Sequence, residues 1–461
     1  MLGAKIAVAR AAGSLSRRSG RGGTSLPGTL LMRLEPQAMA LLAGRLGDGS
    51  AVISATNGKT TTAAMVAAIL EGAGTRLVHN RAGANMAGGV TTALLGAARG
   101  SDAIDGDAGL FEVDEFWLGQ VVGQLRPRAL LLSNLFRDQL DRYGELETIA
   151  DRWAELVSRS TARLVLNADD PLIADLGRNA PDVLHFGVED PSCGLASLAH
   201  AADSKHCRRC GAAYAYERIH LGHLGVYACP SCGARRPRPQ ISAHEIALEG
   251  VRAATFELRT PTGRARVRLP LPGLYNVYNA LAAAALAVAL EIPLAAIVAG
   301  LEAVAPAFGR SETVALGDHE LRILLVKNPA GANEVLRTLA LEPGDHALLA
   351  VLNDKIADGR DVSWIWDADF EALASRLRRV TCAGTRAAEL ALRFKYAGVD
   401  PARIELEPDL ADALDGALAA SAGATLYALP TYTAMLELRA LLVDRGAAAS
   451  SWATSDDHTI A

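Results

Sequence analysis

The residues Ala55-Thr-Asn-Gly-Lys-Thr-Thr-Thr carry the most legible chemistry in the chain. They follow a short apolar run, Ala51-Val-Ile-Ser, and open a helical pattern from Thr60 to Glu71 that Gly72 and Gly74 close. A helix N-terminus offers unpaired N–H groups and a partial positive charge, so a polyphosphate binds there. Gly58 lets the backbone approach, Lys59 reaches the β- and γ-phosphates as the candidate catalytic cation, and Thr60 can ligate Mg²⁺. Thr56, Asn57 and Thr61 belong to the same ATP-binding loop. Ile53 occupies the spacing of the usual first glycine, so the loop is a short variant of the pattern. Phosphoryl transfer also needs acidic Mg²⁺ ligands nearby. Glu112-Val-Asp-Glu ends a second apolar run, with Glu112 the first choice as ligand and Asp114 and Glu115 the alternatives.

A second cluster is built from cysteine. Cys207-Arg-Arg-Cys210 and Cys229-Pro-Ser-Cys232 stand eighteen residues apart, a zinc-ribbon spacing. Each CxxC turn aims two thiolates at one ion, and four thiolates close a tetrahedral site with no open position. The expected Zn²⁺ is therefore structural. Cys193 and Cys382 stand alone, an arithmetic that suits metal binding in a reducing cytoplasm rather than a disulfide framework. The chain has six lysines against forty arginines, so a position that keeps lysine calls for a compact ammonium.

Composition narrows the classes. Of 461 residues, 50% are hydrophobic and 21% charged, which excludes global disorder. A net charge of −5 argues against a general nucleic-acid or membrane-surface binder, and no nucleic acid is expected as a partner. The longest apolar run, Ala280 to Leu290, is too short to span a bilayer and reads as a buried helix. The first residues, with several basic groups, read as a weak amphipathic helix rather than an export signal.

The elements that must position these groups form an α/β series. Residues 1–48 read as an N-terminal cap with a loop at Gly20–Gly28, and 49–307 as a central ATP-binding domain. Apolar runs at Leu110–Val113, Ala129–Leu132 and Arg163–Leu166 imply a mostly parallel sheet. The rhythm breaks at 191–240, an insertion that carries the cysteines. Strand-like alternation from His244 to Leu271 precedes the Ala-rich helix Asn276–Leu290. Pro306–Arg310 reads as a hinge. Residues 308–461 form a C-terminal Rossmann-like domain with strands at Leu321–Val326, Ala347–Val351, Val380–Ala383, Arg403–Leu406 and Thr425–Leu429.

In this order the chain resembles the Mur ligases. The resemblance is carried by Thr56-Asn-Gly-Lys-Thr-Thr-Thr, Asn80-Arg-Ala-Gly-Ala-Asn, Glu112-Val-Asp-Glu, Asn134-Leu-Phe-Arg-Asp-Gln-Leu-Asp-Arg-Tyr-Gly, Asn276-Val-Tyr-Asn and Gly309-Arg310. Further motifs resemble the branch that holds the MurT-type subunits of lipid II isoglutaminyl synthase. These are Gly22-Gly-Thr-Ser-Leu-Pro-Gly, the cysteine insertion, Lys327-Asn-Pro-Ala-Gly, Ala357-Asp-Gly-Arg-Asp-Val-Ser-Trp-Ile-Trp-Asp and Leu429-Pro-Thr-Tyr-Thr-Ala-Met. The departures from other Mur ligases are specific. Gln139 and Tyr275 stand where many have His, and Lys327 where many have an Asp that helps hold an incoming amino acid. No lysine lies between Lys59 and Lys205 to be carbamylated for Mg²⁺.

The resemblance implies an ATP- and Mg²⁺-dependent amidoligase. It would activate the D-glutamate α-carboxylate of the lipid II stem peptide as an acyl phosphate for amidation by ammonia, in peptidoglycan synthesis. Asn276 and Asn279 would face the nucleotide base, with N-capping by Asn276 the plain alternative, and Arg310 would reach the phosphates. The implied partner is a GatD-type glutamine amidotransferase, whose catalytic triad an acidic residue of this chain would complete. Asp358 beside Gly359 is the first choice and Asp361 the second. The expected location is cytoplasmic, with peripheral contact at the inner membrane face left open. Two other readings stand beside this one: an amino-acid-adding Mur or folylpolyglutamate-type ligase, and a zinc-ribbon binding module with a regulatory ATPase.

Overall fold

A computed structural model of the chain describes residues 2–18, 25–80, 84–100, 102–138, 146–195, 198, 202–304 and 310–448. The apolar runs of the first half build one nine-stranded sheet. Its spatial order is Gly263–Leu269, Ala253–Thr260, Ile241–Glu249, Val183–Val188, Arg163–Asn167, Ala129–Leu132, Ser50–Ser54, Ala108–Glu112 and Leu77–His79. The last seven of these run parallel, and the first two add an antiparallel edge. Every residue of Ser50–Ser54 and Ala129–Leu132 is buried, because helices cover both faces. That is why these strands read as unbroken apolar runs rather than as alternating ones.

One face is covered by helix Leu274–Ala289 with Lys59–Gly72 and Leu294–Glu302. Residues Ala280 to Ala287 of that first helix are fully buried, and their small side chains let it lie close to the sheet. The apolar run from Ala280 is thus a buried helix, and among the described residues no helix is long and apolar enough to cross a membrane. The other face is covered by helices that include Leu26–Leu34, Ala38–Ala43, Ala87–Ala97, Leu118–Leu125 and Leu146–Arg159. The N-terminal segment is more helical than its composition suggested. Leu26-Pro-Gly, expected in a loop, begins a helix, where a proline in the first turn costs no hydrogen bond. Residues 19–24 lie outside the description.

Strand Ser50–Ser54 is where the strand order turns, with Ala108–Glu112 on one side and Ala129–Leu132 on the other. Their carboxyl ends are level, Ile53 opposite Glu112 and Ser54 opposite Leu132. An open parallel sheet leaves a crevice at such a point. Strands Val183–Val188 and Ile241–Glu249 pair directly, so residues 191–240 leave the sheet between two neighbours as a long excursion.

A six-stranded sheet follows, in the order Arg310–Leu316, His319–Leu324, Leu426–Pro430, His346–Val351, Leu377–Ala383 and Ile404–Leu406. It is parallel except for the hairpin of the first two strands. Sequence reading placed the last five and missed Arg310–Leu316, whose polar start Arg-Ser-Glu-Thr lacks an apolar run. The two sheets are tied by named bonds. Arg337 donates to the carbonyls of His220 (2.8 Å) and Cys193 (3.3 Å), Arg322 to Val251 O (2.8 Å), and Glu342 accepts from Val251 N (2.8 Å).

Glu334 lies on the same helix as Arg337, Pro329–Leu339, and is buried. Burial pushes its carboxyl up to about 7, against the pull of Arg337 at 3.7 Å. A raised folded-state value means that the folded chain holds this proton more tightly than the unfolded chain. Its stabilising effect is therefore full below about pH 4.5 and lost as pH rises through about 7. Glu334→Gln removes that loss. The variant should melt higher than wild type at pH 8, by up to about 3 kcal/mol of stability, with the gap closing toward pH 5. A gap independent of pH would show that Glu334 is ionised throughout.

Candidate active site

The phosphate loop joins strand Ser50–Ser54 to helix Lys59–Gly72. Gly58 has φ +83°, and a Cβ there would lie 2.0 Å from Asn279 Oδ1, so both backbone conformation and space demand glycine. Asparagines from three elements converge on this loop. Asn134, just past strand Ala129–Leu132, accepts from Asn57 N and donates to Asn57 O, both at 2.9 Å. Asn279, on helix Leu274–Ala289, accepts from Thr62 Oγ1 (3.4 Å) and donates to Asn276 Oδ1 (3.0 Å). Asn328 caps helix Pro329–Leu339 of the C-terminal unit and exchanges two bonds with the Asn57 amide, at 2.9 and 3.3 Å. Thr56 adds a bond from Phe136 N to its hydroxyl at 3.2 Å.

Charged groups line the same place. Lys59 is buried, and its Nζ donates to Ala55 O and, at 2.8 Å, to Glu115. Burial by itself disfavours the ammonium. The adjoining Glu115 carboxylate, with Glu112 and Asp114 behind it, outweighs burial and raises the Lys59 value. Burial likewise opposes ionisation of Glu115, but Lys59 and then Lys327 hold it below the ordinary carboxylate range. Thr60 Oγ1 donates to Glu112 Oε1 at 3.1 Å. Neighbouring oxygens on an octahedral Mg²⁺ stand about 3 Å apart, so this pair fits the ion's ligand spacing. Asn80 fixes Glu112 by bonding both its N–H (3.0 Å) and its C=O (2.8 Å). Across the gap between the sheets, Lys327 Nζ lies 2.7 Å from Asp138 Oδ2.

Thr56, Asn57, Gly58, Lys59, Thr60 and Glu112 therefore come together, and Thr61 is buried in the first helical turn. Asn276 and Asn279 are buried beneath the loop, and Asn276 donates to Pro272 O at 2.7 Å. Arg310 begins a strand, and its side chain lies outside the described residues, as do Gln139 and residues 81–83. Asp358 was expected to point outward. Instead it is buried, its Oδ1 accepting from Thr433 N at 2.7 Å and its Oδ2 from the Thr433 hydroxyl. This anchors the loop to the N-terminus of helix Tyr432–Asp444, where a carboxylate is favoured. Asp361 is exposed and accepts from Ser363 N at 2.8 Å. Sequence reasoning did not assign Asn134, Asn328, Asn80 or Asp138. All four stand inside quoted motifs, and that was the available signal.

The four cysteines also converge. Their sulfur atoms all lie within 4.8 Å of one another, with Cys207–Cys232 at 3.6 Å and Cys210–Cys229 at 3.4 Å. Thiolates about 2.3 Å from one tetrahedral ion stand roughly 3.8 Å apart, so the set fits Zn²⁺. Each CxxC is followed by a glycine at φ +74°, Gly211 and Gly233, which closes two matching turns. The ribbon is rooted in the sheet. Arg236 Nε donates to the fully buried Asp169 at 2.6 Å, and Asp169 also accepts from Tyr278 (2.6 Å) and Val188 N (2.9 Å). His223 is buried 3.3 Å from Asp170, the N-cap of helix Pro171–Leu176.

The family model described as Mur ligase middle domain matches residues 53–228, and that described as MurT ligase C-terminal matches 325–435. The chain is 33% identical over 431 residues to a Streptococcus pneumoniae protein named lipid II isoglutaminyl synthase (glutamine-hydrolyzing) subunit MurT, covering 93% of this chain and 94% of that one. It is 34% identical over 396 residues to the protein of the same name from Staphylococcus aureus, covering 86% and 88%. Among solved structures it is similar to a pseudomurein peptide ligase type C from Methanothermus fervidus. The TM-score is 0.69 at 24% identity, over 88% of this chain and 80% of that one, a likeness of fold.

Elemental analysis of protein purified without chelators should find about one zinc per chain. Cys207→Ser should lower both zinc content and melting temperature, since binding of a structural ion adds to folding free energy. Protein that holds neither zinc nor iron would end this assignment.

Proposed function

The chain belongs to the family of MurT-type subunits of lipid II isoglutaminyl synthase. From that membership we propose that it activates the D-glutamate α-carboxylate of the lipid II stem peptide with ATP. Ammonia then converts the activated group to D-isoglutamine. The observation that carries this reading is the meeting of Lys59 and the Thr60–Glu112 pair at the phosphate loop, in a chain matched to these relatives over almost its whole length.

A carboxylate is a poor electrophile, because its charge repels nucleophiles and oxide is a bad leaving group. A carboxylate oxygen attacks the γ-phosphorus while the bond to the β–γ bridging oxygen breaks, and ADP leaves with the electron pair. Ammonia adds to the acyl carbon of the resulting acyl phosphate, phosphate departs, and nitrogen loses a proton. Lys59 neutralises charge on the transferring group, and the N–H groups of the helix start hold the phosphates. Thr60 and Glu112 would hold Mg²⁺, which supplies further charge neutralisation when bound. Cys207, Cys210, Cys229 and Cys232 would hold Zn²⁺ as a brace for the ribbon, with no part in the chemistry.

The names of the relatives call them subunits of a glutamine-hydrolysing enzyme, and the partner proposed here is a GatD-type glutaminase that delivers the ammonia. A catalytic histidine in such a partner needs a carboxylate on its second ring nitrogen to fix the tautomer. Of the two acidic candidates, Asp361 offers exposed oxygens, whereas both oxygens of Asp358 are occupied by Thr433. Asp361 is therefore assigned this role, and Asp358 the shaping of the loop that carries it. The substrate is lipid-linked, so the site of action is the inner membrane face.

Lys59→Ala should reduce ATP-dependent amidation on the order of 10²–10⁴-fold while leaving the fold intact, because a charge at the transferring phosphoryl is lost. Near-normal amidation by that variant would refute the phosphate-loop assignment. In the complex with the glutaminase, Asp361→Asn should suppress glutamine-driven amidation and spare amidation driven by ammonium salts. Equal loss with both nitrogen sources would place Asp361 in the synthetase site instead.

A further inference from the structure

We propose that Lys327 is a second catalytic cation of the phosphoryl-transfer site, contacting the γ-phosphoryl group as it passes from ATP to the substrate carboxylate. The proposal rests on the reading of the phosphate loop as the ATP site, and adds a residue from the other sheet to it.

Lys327 is one of six lysines in the chain, and it stands next to the residue that touches the phosphate loop. Asn328 exchanges two hydrogen bonds with Asn57, so the backbone at 327–328 is pinned against the loop. The Lys327 ammonium pairs with Asp138 at 2.7 Å, four residues beyond Asn134, which also grips Asn57. It is close enough to Glu115 to favour that carboxylate's ionised form, and Glu115 bonds Lys59 at 2.8 Å. Four side chains thus alternate in sign at the loop: Lys59, Glu115, Lys327 and Asp138.

The chemistry calls for such a group. During transfer a carboxylate oxygen forms a bond to the γ-phosphorus as the bond to the bridging oxygen breaks, and no proton moves. Two anions must therefore be brought into contact, and the loop itself contributes one lysine. No other lysine occurs between Lys59 and Lys205. In a chain with forty arginines, a lysine at this position supplies a compact point charge that can leave a carboxylate for a phosphoryl oxygen. Each cation rests on a carboxylate, Lys59 on Glu115 and Lys327 on Asp138. Because Lys327 comes from the C-terminal unit, the transfer site is complete only when the two units are docked.

The test compares binding of a non-hydrolysable ATP analogue and of ADP, each with Mg²⁺, by calorimetry on the full chain. Lys327→Met should weaken binding of the triphosphate about tenfold or more and leave ADP binding within about twofold, since the contact is to the γ-phosphoryl group. Its amidation rate with ammonium salts should fall about 10²-fold or more. Asp138→Asn breaks the same ion pair but keeps the ammonium, and should bind the triphosphate at least as tightly as wild type. Should Lys327→Met fail to fold, Lys327→Gln, which can still bond Asp138, carries the same expectation. Wild-type affinity for the triphosphate in the Lys327 variant would overturn the proposal. So would an equal loss in Asp138→Asn, which would make the pair only a tie between the units. A wild-type chain that binds neither nucleotide would instead refute the ATP-site reading itself, and Lys327's role with it.

Discussion

The loop Thr56–Gly58 lies between a strand end and a helix start, where its peptide groups lack ladder partners and must be paired from other elements. That constraint explains the asparagines around Thr56–Gly58. Each carries a donor and an acceptor on a planar amide, so it can pair a backbone N–H and C=O at once, or a neighbour's side-chain amide. Asn134 holds one residue of the loop from the next strand, Asn279 fills the space that Gly58 leaves open, and Asn328 holds the Asn57 side chain from the other sheet. The strand order of the nine-stranded sheet, the path of the Ala-rich helix and the docking of the C-terminal unit all meet in these contacts.

Charge is arranged by the same logic. Lys59 and Glu115 are both largely buried, and each is kept ionised by the other against the cost of leaving water. Charges paired in this way are stable inside the fold. Away from the loop, buried charge has another use. Asp169 accepts bonds from the ribbon, the Ala-rich helix and the sheet, and so links the cysteine excursion to the core that carries the site. Among the described residues, the cluster around the cysteines holds three buried apolar residues, Cys207, Cys229 and Ala234, while Leu221 and Leu224 pack into the core of the sheet, so these ties, and the ion the cysteines would hold, brace the cysteine end.

The acidic loop shows how two carboxylates three residues apart come to differ. Gly359 adopts φ +85° and turns the chain between them. Asp358 falls on the inner side, against the start of helix Tyr432–Asp444, and Asp361 on the outer side. A helix start attracts a nearby carboxylate and satisfies it with N–H donors, which is why both Asp358 oxygens turn to Thr433. From the sequence alone Asp358 was the one expected to reach a partner, because adjacency to glycine says that a turn occurs and not which side faces water.

The sequence by itself determined the site's chemical parts. A lysine in Asn-Gly-Lys-Thr after an apolar run, a glutamate at the end of another, and two CxxC pairs at ribbon spacing are local patterns, and local geometry and chemistry dictate them. The strands of both sheets, apart from Arg310–Leu316, Val183–Val188 and the short Leu77–His79, were legible as well, the inner ones because strands buried on both faces must be continuously apolar and the antiparallel edge by its alternation. Only the tertiary structure decided which distant residues share the site. Asn57 meets Asn328 across 271 positions of chain, and Lys327 meets Asp138 across 189. Such pairs leave no periodicity behind. They exist because two separately folded sheets are docked at one loop, and the free energy of that docking is spread over contacts that no single stretch of sequence contains.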